Sequence, residues 1–192
     1  MHPLPSITGP GPCGAEDVVS LDAVVLKDGQ RTALAPAATL RCPMAEAVAH
    51  WVREDVAPAA AATFGSPART IVAGVSYECR GRDRIPGAKL SEHAHANALD
   101  LRGLKLATGK VIDFTDSTVS KAFRETMRQS ACASFTTVLG PGSDSYHADN
   151  IHLDLLERKG GYRICQWDVQ PAPQTPSAPA PPERAGTVNS TK

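Results

Sequence analysis

The sequence predicts an α+β fold, a mainly antiparallel sheet with helices packed on one side, and three observations predict it. Apolar or β-branched segments of strand length recur at 18–26, 70–77, 98–106, 110–114, 136–139, 151–155 and 162–167. Two stretches instead carry helical spacing: Met44, Val48, Trp51 and Val52, then Val119, Phe123, Met127 and Ala131. Turn residues of hairpin type, such as Thr108-Gly109, join neighbouring strands.

In chain order, residues 1–12 are rich in Pro and Gly and are expected to be a flexible leader. The first strand, Val18 to Leu26, ends at an Asp28-Gly29 turn. Pro43 suits the first position of a helix, and an alanine-rich continuation from Ala57 to Phe64 stops at Gly65. Thr70 to Tyr77 is a strand that delivers Cys79 and Arg80. Ala98–Leu106 and Lys110–Phe114 form a hairpin, and Asp116 or Ser117 caps the second helix. Three further strands complete the sheet. Residues 13–169 thus form one domain, and 170–192, dominated by Pro, Ala and Ser, are expected to be disordered.

Composition narrows the function. Formal net charge is zero, and the run Arg80-Gly81-Arg82-Asp83-Arg84 is broken by acid, so nucleic-acid binding has little support. No apolar run approaches the ~18 residues of a membrane span. The chain is expected to act as a monomer. Its five cysteines, Cys13, Cys42, Cys79, Cys132 and Cys165, include no C-x-x-C pair. Two disulfides and one free thiol account for them, with the pairing open. Disulfides place the domain in the periplasm or cell envelope. The opening Met1-His2-Pro3-Leu4-Pro5 has neither a basic nor an apolar leader region, so a signal peptide is not expected within this chain.

The chemistry concentrates in Ser91-Glu92-His93-Ala94-His95-Ala96-Asn97-Ala98-Leu99-Asp100 and in Asp149-Asn150-Ile151-His152. A catalytic zinc takes three His or carboxylate ligands and keeps a fourth position for water, whose pKa it lowers toward roughly 7. His93, Asp100 and His152 supply such ligands, and Asp149 a carboxylate base. Side chains alternate along a strand, so Leu99 and Leu101 oppose Asp100, and Ile151, Leu153 and Leu155 oppose His152 and Asp154. Neighbouring strands would then present Asp100 and His152 side by side. Of the other histidines, His2 lies in the leader, His50 on a helix, and His95 at the rim or turned away.

These segments resemble the Ser-x-His-x-x-Gly-x-Ala-x-Asp motif of zinc D-alanyl-D-alanine peptidases and lysostaphin-like endopeptidases, with Ala96 where Gly is commoner. Asp149-x-x-His152 is similar to the acidic-x-x-His element of the former. A closer resemblance is to the bacterial extensin-like C-terminal domain family, carried by Cys13-Gly14, Leu40-Arg41-Cys42, Tyr77-Glu78-Cys79-Arg80, Leu90-Ser91-Glu92-His93, Ala131-Cys132, Val138-Leu139-Gly140-Pro141-Gly142 and Tyr162-Arg163-Ile164-Cys165-Gln166. The resemblance implies a hedgehog/D-Ala-D-Ala-peptidase-like fold, and zinc held by His93, Asp100 and His152 with Asp149 as catalytic base. Arg80, Ser91, His147 and Asn150 would bind substrate or the developing oxyanion. The expected activity is zinc-dependent hydrolysis of an amide bond in peptidoglycan peptides, as a carboxypeptidase or endopeptidase. Asn150 departs from the His-x-His of many relatives and cannot shuttle a proton. The alternative is therefore a non-catalytic wall-binding module that retains the zinc site.

Overall fold

The computed structural model describes residues 1–85 and 87–170. The strands are β1 (His2–Pro3), β2 (Ile7–Thr8), β3 (Gly14–Ala15), β4 (Val18–Val25), β5 (Arg31–Arg41), β6 (Ala68–Ala73), β7 (Ala98–Leu106), β8 (Val111–Asp113), β9 (Thr137–Leu139), β10 (Ile151–Asp154) and β11 (Ile164–Gln166). The helices are α1 (Cys42–Trp51), α2 (Ala57–Phe64) and α3 (Lys121–Ser134), with a π-helical turn at Val52–Val56 joining the first two. Pro43 lies in the first turn of α1, and α2 ends where Gly65 adopts φ +61°, a left-handed conformation that glycine takes without a Cβ clash. Ser120, rather than the expected Asp116 or Ser117, accepts the Phe123 N–H and starts α3. Asp116 instead closes the preceding turn through Thr118.

The main sheet runs β1-β4-β5-β6-β7-β10-β9-β11, with β8 also paired to β7. This corrects the expected fold class. The sheet is mixed, because β5 pairs β6 in parallel and β9 pairs β11 in parallel. The α1–α2 crossover returns the chain in its original direction, which a hairpin cannot do. Strand β5 is absent from the sequence expectation, since its Ala-rich, Pro-containing sequence has low β-propensity. It gains its ladders from β4 and β6 on its two sides. The N-terminal segment, expected as a flexible leader, pairs β1 with β4 and β2 with β3. Of the expected tail, 171–192 lies outside the described residues.

One core joins sheet to helices. Leu99, Leu101, Ile151 and Leu153 from β7 and β10 share it with Val48 and Trp51 of α1 and Phe123 and Met127 of α3. Each such side chain contributes about 1.5–3 kcal/mol by leaving water. The alternate residues of β7 and β10 face the other way, and the candidate site lies there.

Cys13 is bonded to Cys79, and Cys132 of α3 to Cys165 of β11, leaving Cys42 as a free thiol. Two disulfides indicate an oxidising, extracytoplasmic location. Among the described residues no helix is long and apolar enough to cross a membrane.

Candidate metal centre

Antiparallel register sets His152 of β10 directly opposite Asp100 of β7. The third member arrives from a loop. A single 3-10 turn, Glu92–His95, begins at Ser91, whose Oγ accepts the His93 N–H, and ends at Ala96 with φ +50°. That left-handed conformation costs an alanine roughly 1–2 kcal/mol. After β6 the chain stays close to β7: Gly74 donates to Asp100 O, and a Cβ on Gly74 would meet Asp100 atoms at 3.3 Å. This approach brings the Ser76 carbonyl over the turn, where it accepts from His93 Nδ1 at 2.7 Å.

That hydrogen bond assigns the tautomer of His93, placing the proton on Nδ1 and a lone pair on Nε2. His152 is held in the opposite sense, with Nε2 donating to Asp154 Oδ2 at 3.1 Å and Nδ1 turned inward. His93 Nε2 lies 3.2 Å from both Asp100 Oδ1 and His152 Nδ1, and His152 Nδ1 lies 3.0 Å from Asp100 Oδ1. Three electron-pair donors therefore converge on one point, and only a cationic species between them, a proton or a metal ion, relieves their repulsion. His93, Asp100 and His152 form a group able to hold a metal ion. Two imidazole nitrogens and one carboxylate oxygen fit zinc, and the outer hydrogen bonds to a carbonyl and a carboxylate are those that orient metal-ligating histidines.

Without a metal, charge settles within the cluster. Burial opposes ionisation of Asp100, but His152 and His93 outweigh it and hold the carboxyl well below its usual range. Burial likewise disfavours a charged His152, yet Asp100 and Asp154 prevail and raise its pKa to about 9. Asp154 is lowered by His152 against the same burial cost.

The cluster opens into a cleft of about 380 Å³ whose lining includes Arg80, Ser91, His147, Asn150 and Arg158. A family model described as extensin-like protein C-terminus matches residues 1–166. The chain belongs to this family. No curated protein and no solved structure matches it.

In this extensin-like domain the other expected site residues line the cleft, with the exception of Asp149. Arg80 lines the cleft, its Nε donating to Glu78 Oε2 at 2.8 Å. Arg84 grips the same carboxylate with Nη1 and Nη2. Ser91 caps the His93 turn. His147 donates Nδ1–H to Asp144 at 2.8 Å, and its ring centre lies 5.6 Å from that of His152. Asn150 Nδ2 donates to Tyr146 O and Asp149 Oδ1, which leaves its buried Oδ1 without a partner. Asp149, expected as the base, is not brought into the cluster. Its side chain is 67% exposed, and Oδ2 accepts from Arg102 at 3.0 Å. His95 faces a second hollow shared with Arg41.

Sequence reasoning missed Ser76, Glu78, Asp144 and Asp154 as partners. For Asp154 a signal existed, because His152-x-Asp154 puts both on one strand face. A backbone carbonyl such as that of Ser76 leaves no sequence signal.

Proposed function

We propose that this domain is a metal-dependent hydrolase, with zinc at His93, Asp100 and His152, that cleaves an amide bond in peptidoglycan peptides of the periplasm or cell envelope. The observation that carries this proposal is the convergence of His93 Nε2, His152 Nδ1 and an Asp100 oxygen on one point, with the outer nitrogen of each histidine already tied off. Zinc bound there would acidify water and polarise a carbonyl. The protein's own groups supply the rest. Ser76 and Asp154 keep His93 and His152 in the ligating tautomer. Arg80, steadied by Glu78, offers guanidinium N–H groups to a substrate carbonyl or carboxylate.

Proton transfer falls to His147 rather than Asp149. A general base must reach the reacting atoms, and both Asp149 oxygens are engaged, by Arg102 and by Asn150. His147 lines the cleft, and Asp144 holds its Nδ1–H, leaving Nε2 to take and return a proton.

The outward Asp149 also favours a second reading, a wall-binding module that keeps the metal without turnover. Purified peptidoglycan incubated with the zinc-loaded domain and with chelator-treated domain separates the two. Release of new amino groups by the loaded form alone supports hydrolysis. Cosedimentation with the wall and no release establishes the binding module.

A further inference from the structure

The cleft has a second cationic feature that the metal centre does not use. Arg158 lines it, on the far side of the cluster from Arg80. Strand order makes this plain: Arg80 follows β6, Asp100 and His152 lie on β7 and β10, and Arg158 binds residues of β9. Its Nη2 donates to Thr137 Oγ1 at 2.7 Å, and its Nη1 to the carbonyls of Thr136 and Leu156 at 3.3 and 3.5 Å. A guanidinium has five N–H bonds, so Nε–H and one Nη2–H remain uncommitted. Nε and Nη2 lie along one edge of the fork, an edge able to grip a carboxylate in parallel.

No carboxylate among the described residues lies within ion-pairing distance of Arg158, whereas Arg80 and Arg84 share Glu78. A half-buried guanidinium, fixed by three hydrogen bonds and lacking a counterion, is preorganised for an anion. Thr137, its partner, stands opposite Asp154 in the β9–β10 ladder, two residues along from His152. Along the strand, that position lies one two-residue repeat, about 7 Å, from His152, and the anchor is bound there through Thr137.

We propose that Arg158 is the anchor for a carboxylate carried by the peptide that occupies this cleft, within about two residues of the bond at the metal centre. The carboxylate comes either from a free C-terminus or from an acidic side chain, and both present the same planar pair of oxygens. The anchor presupposes that the cleft is the peptide-binding site, but it does not require turnover.

Three probes test it by titration into the full chain, zinc-loaded and metal-free: acetyl-dialanine, its C-terminal amide, and acetyl-alanyl-glutamate with both the C-terminus amidated and the side chain free. The expected result is at least tenfold tighter binding of one or both charged peptides than of the amide, in both metal states. Which charged peptide binds identifies the source of the carboxylate. R158Q should abolish the preference at unchanged zinc content, and R69Q on the exposed side of β6 should leave it intact. Because R158Q removes hydrogen bonds and can fail to fold, the Arg158 Nε–H resonance of the wild type supplies a second readout. It should shift with the charged probe and stay in place with the amide. Equal binding of charged and amidated peptides overturns the anchor, as does a preference that survives in R158Q. Absence of zinc with the preference intact sinks the metal proposal and leaves the anchor standing.

Discussion

His152 faces Asp100 across the β7–β10 ladder, its Nδ1 3.0 Å from Asp100 Oδ1, while its other nitrogen rests on Asp154. One imidazole is thus clamped between two carboxylates. A proton and a metal ion compete for the same inward lone pair, and that competition governs the expected behaviour with pH.

Stability of the metal-free protein should fall on the alkaline side. The pKa of His152 is raised from 6.5 to about 9, the two carboxylates outweighing burial. Its contribution is fully present below the unfolded value of 6.5 and is lost as pH rises through about 9. Asp100 is depressed, so its contribution is present above 3.8 and is lost only in strong acid. The His152 part is on the order of 3 kcal/mol. Thermal melts of chelator-treated protein should therefore show a lower Tm near pH 9.5 than near pH 6. Zinc affinity should run the other way, rising about tenfold per pH unit below 9 as the proton is displaced. A flat melting profile would refute the assignment of the proton to His152.

Asp154→Asn should weaken zinc binding by roughly 10- to 100-fold with the fold retained, the usual consequence of neutralising a carboxylate behind a ligating histidine. Competition against a chromogenic chelator measures it. An unchanged affinity would mean that Asp154 serves folding alone.

Alkylation of unreduced protein should modify one cysteine, Cys42. Replacing Cys79 by Ser should cost about 2–5 kcal/mol. It should also weaken metal binding, because Cys79 anchors to Cys13 the loop that carries Ser76, the acceptor for His93. Peptide mapping and chelator competition test the two halves separately.

His147→Gln should lower peptidoglycan turnover by about 10²-fold or more at unchanged zinc content, the scale of a positioned base. Asp149→Asn should stay within a few-fold of wild type. The reverse ranking would return the base to Asp149 and require its carboxylate to swing away from Arg102.

Much of this site was legible because strand alternation is a local rule. Leu99 and Leu101 in the core oblige Asp100 to point outward, and Ile151 and Leu153 do the same for His152. The helix at Pro43 was legible from an equally local rule, and the family landmarks from resemblance alone. What could not be read is set by contacts distant in sequence. Whether β5 and β6 run parallel depends on where the α1–α2 crossover lands, and the composition of β5 conceals even its existence. The orientation of Asp149 depends on Arg102, 47 positions away in the chain, and the tautomer of His93 on a backbone carbonyl. Arg158 stands among loop residues with no motif around it, and only its folded contact with β9 reveals its fixed fork.

Metal stoichiometry is the most direct test of the central claim. Elemental analysis of the wild-type chain after zinc loading and desalting should give close to one zinc per molecule. His152→Ala and Asp100→Ala, each checked for native disulfides and circular dichroism, should give close to none. Full zinc occupancy persisting in folded His152→Ala, or a wild type that retains no zinc at neutral pH, would contradict a metal centre built on His93, Asp100 and His152.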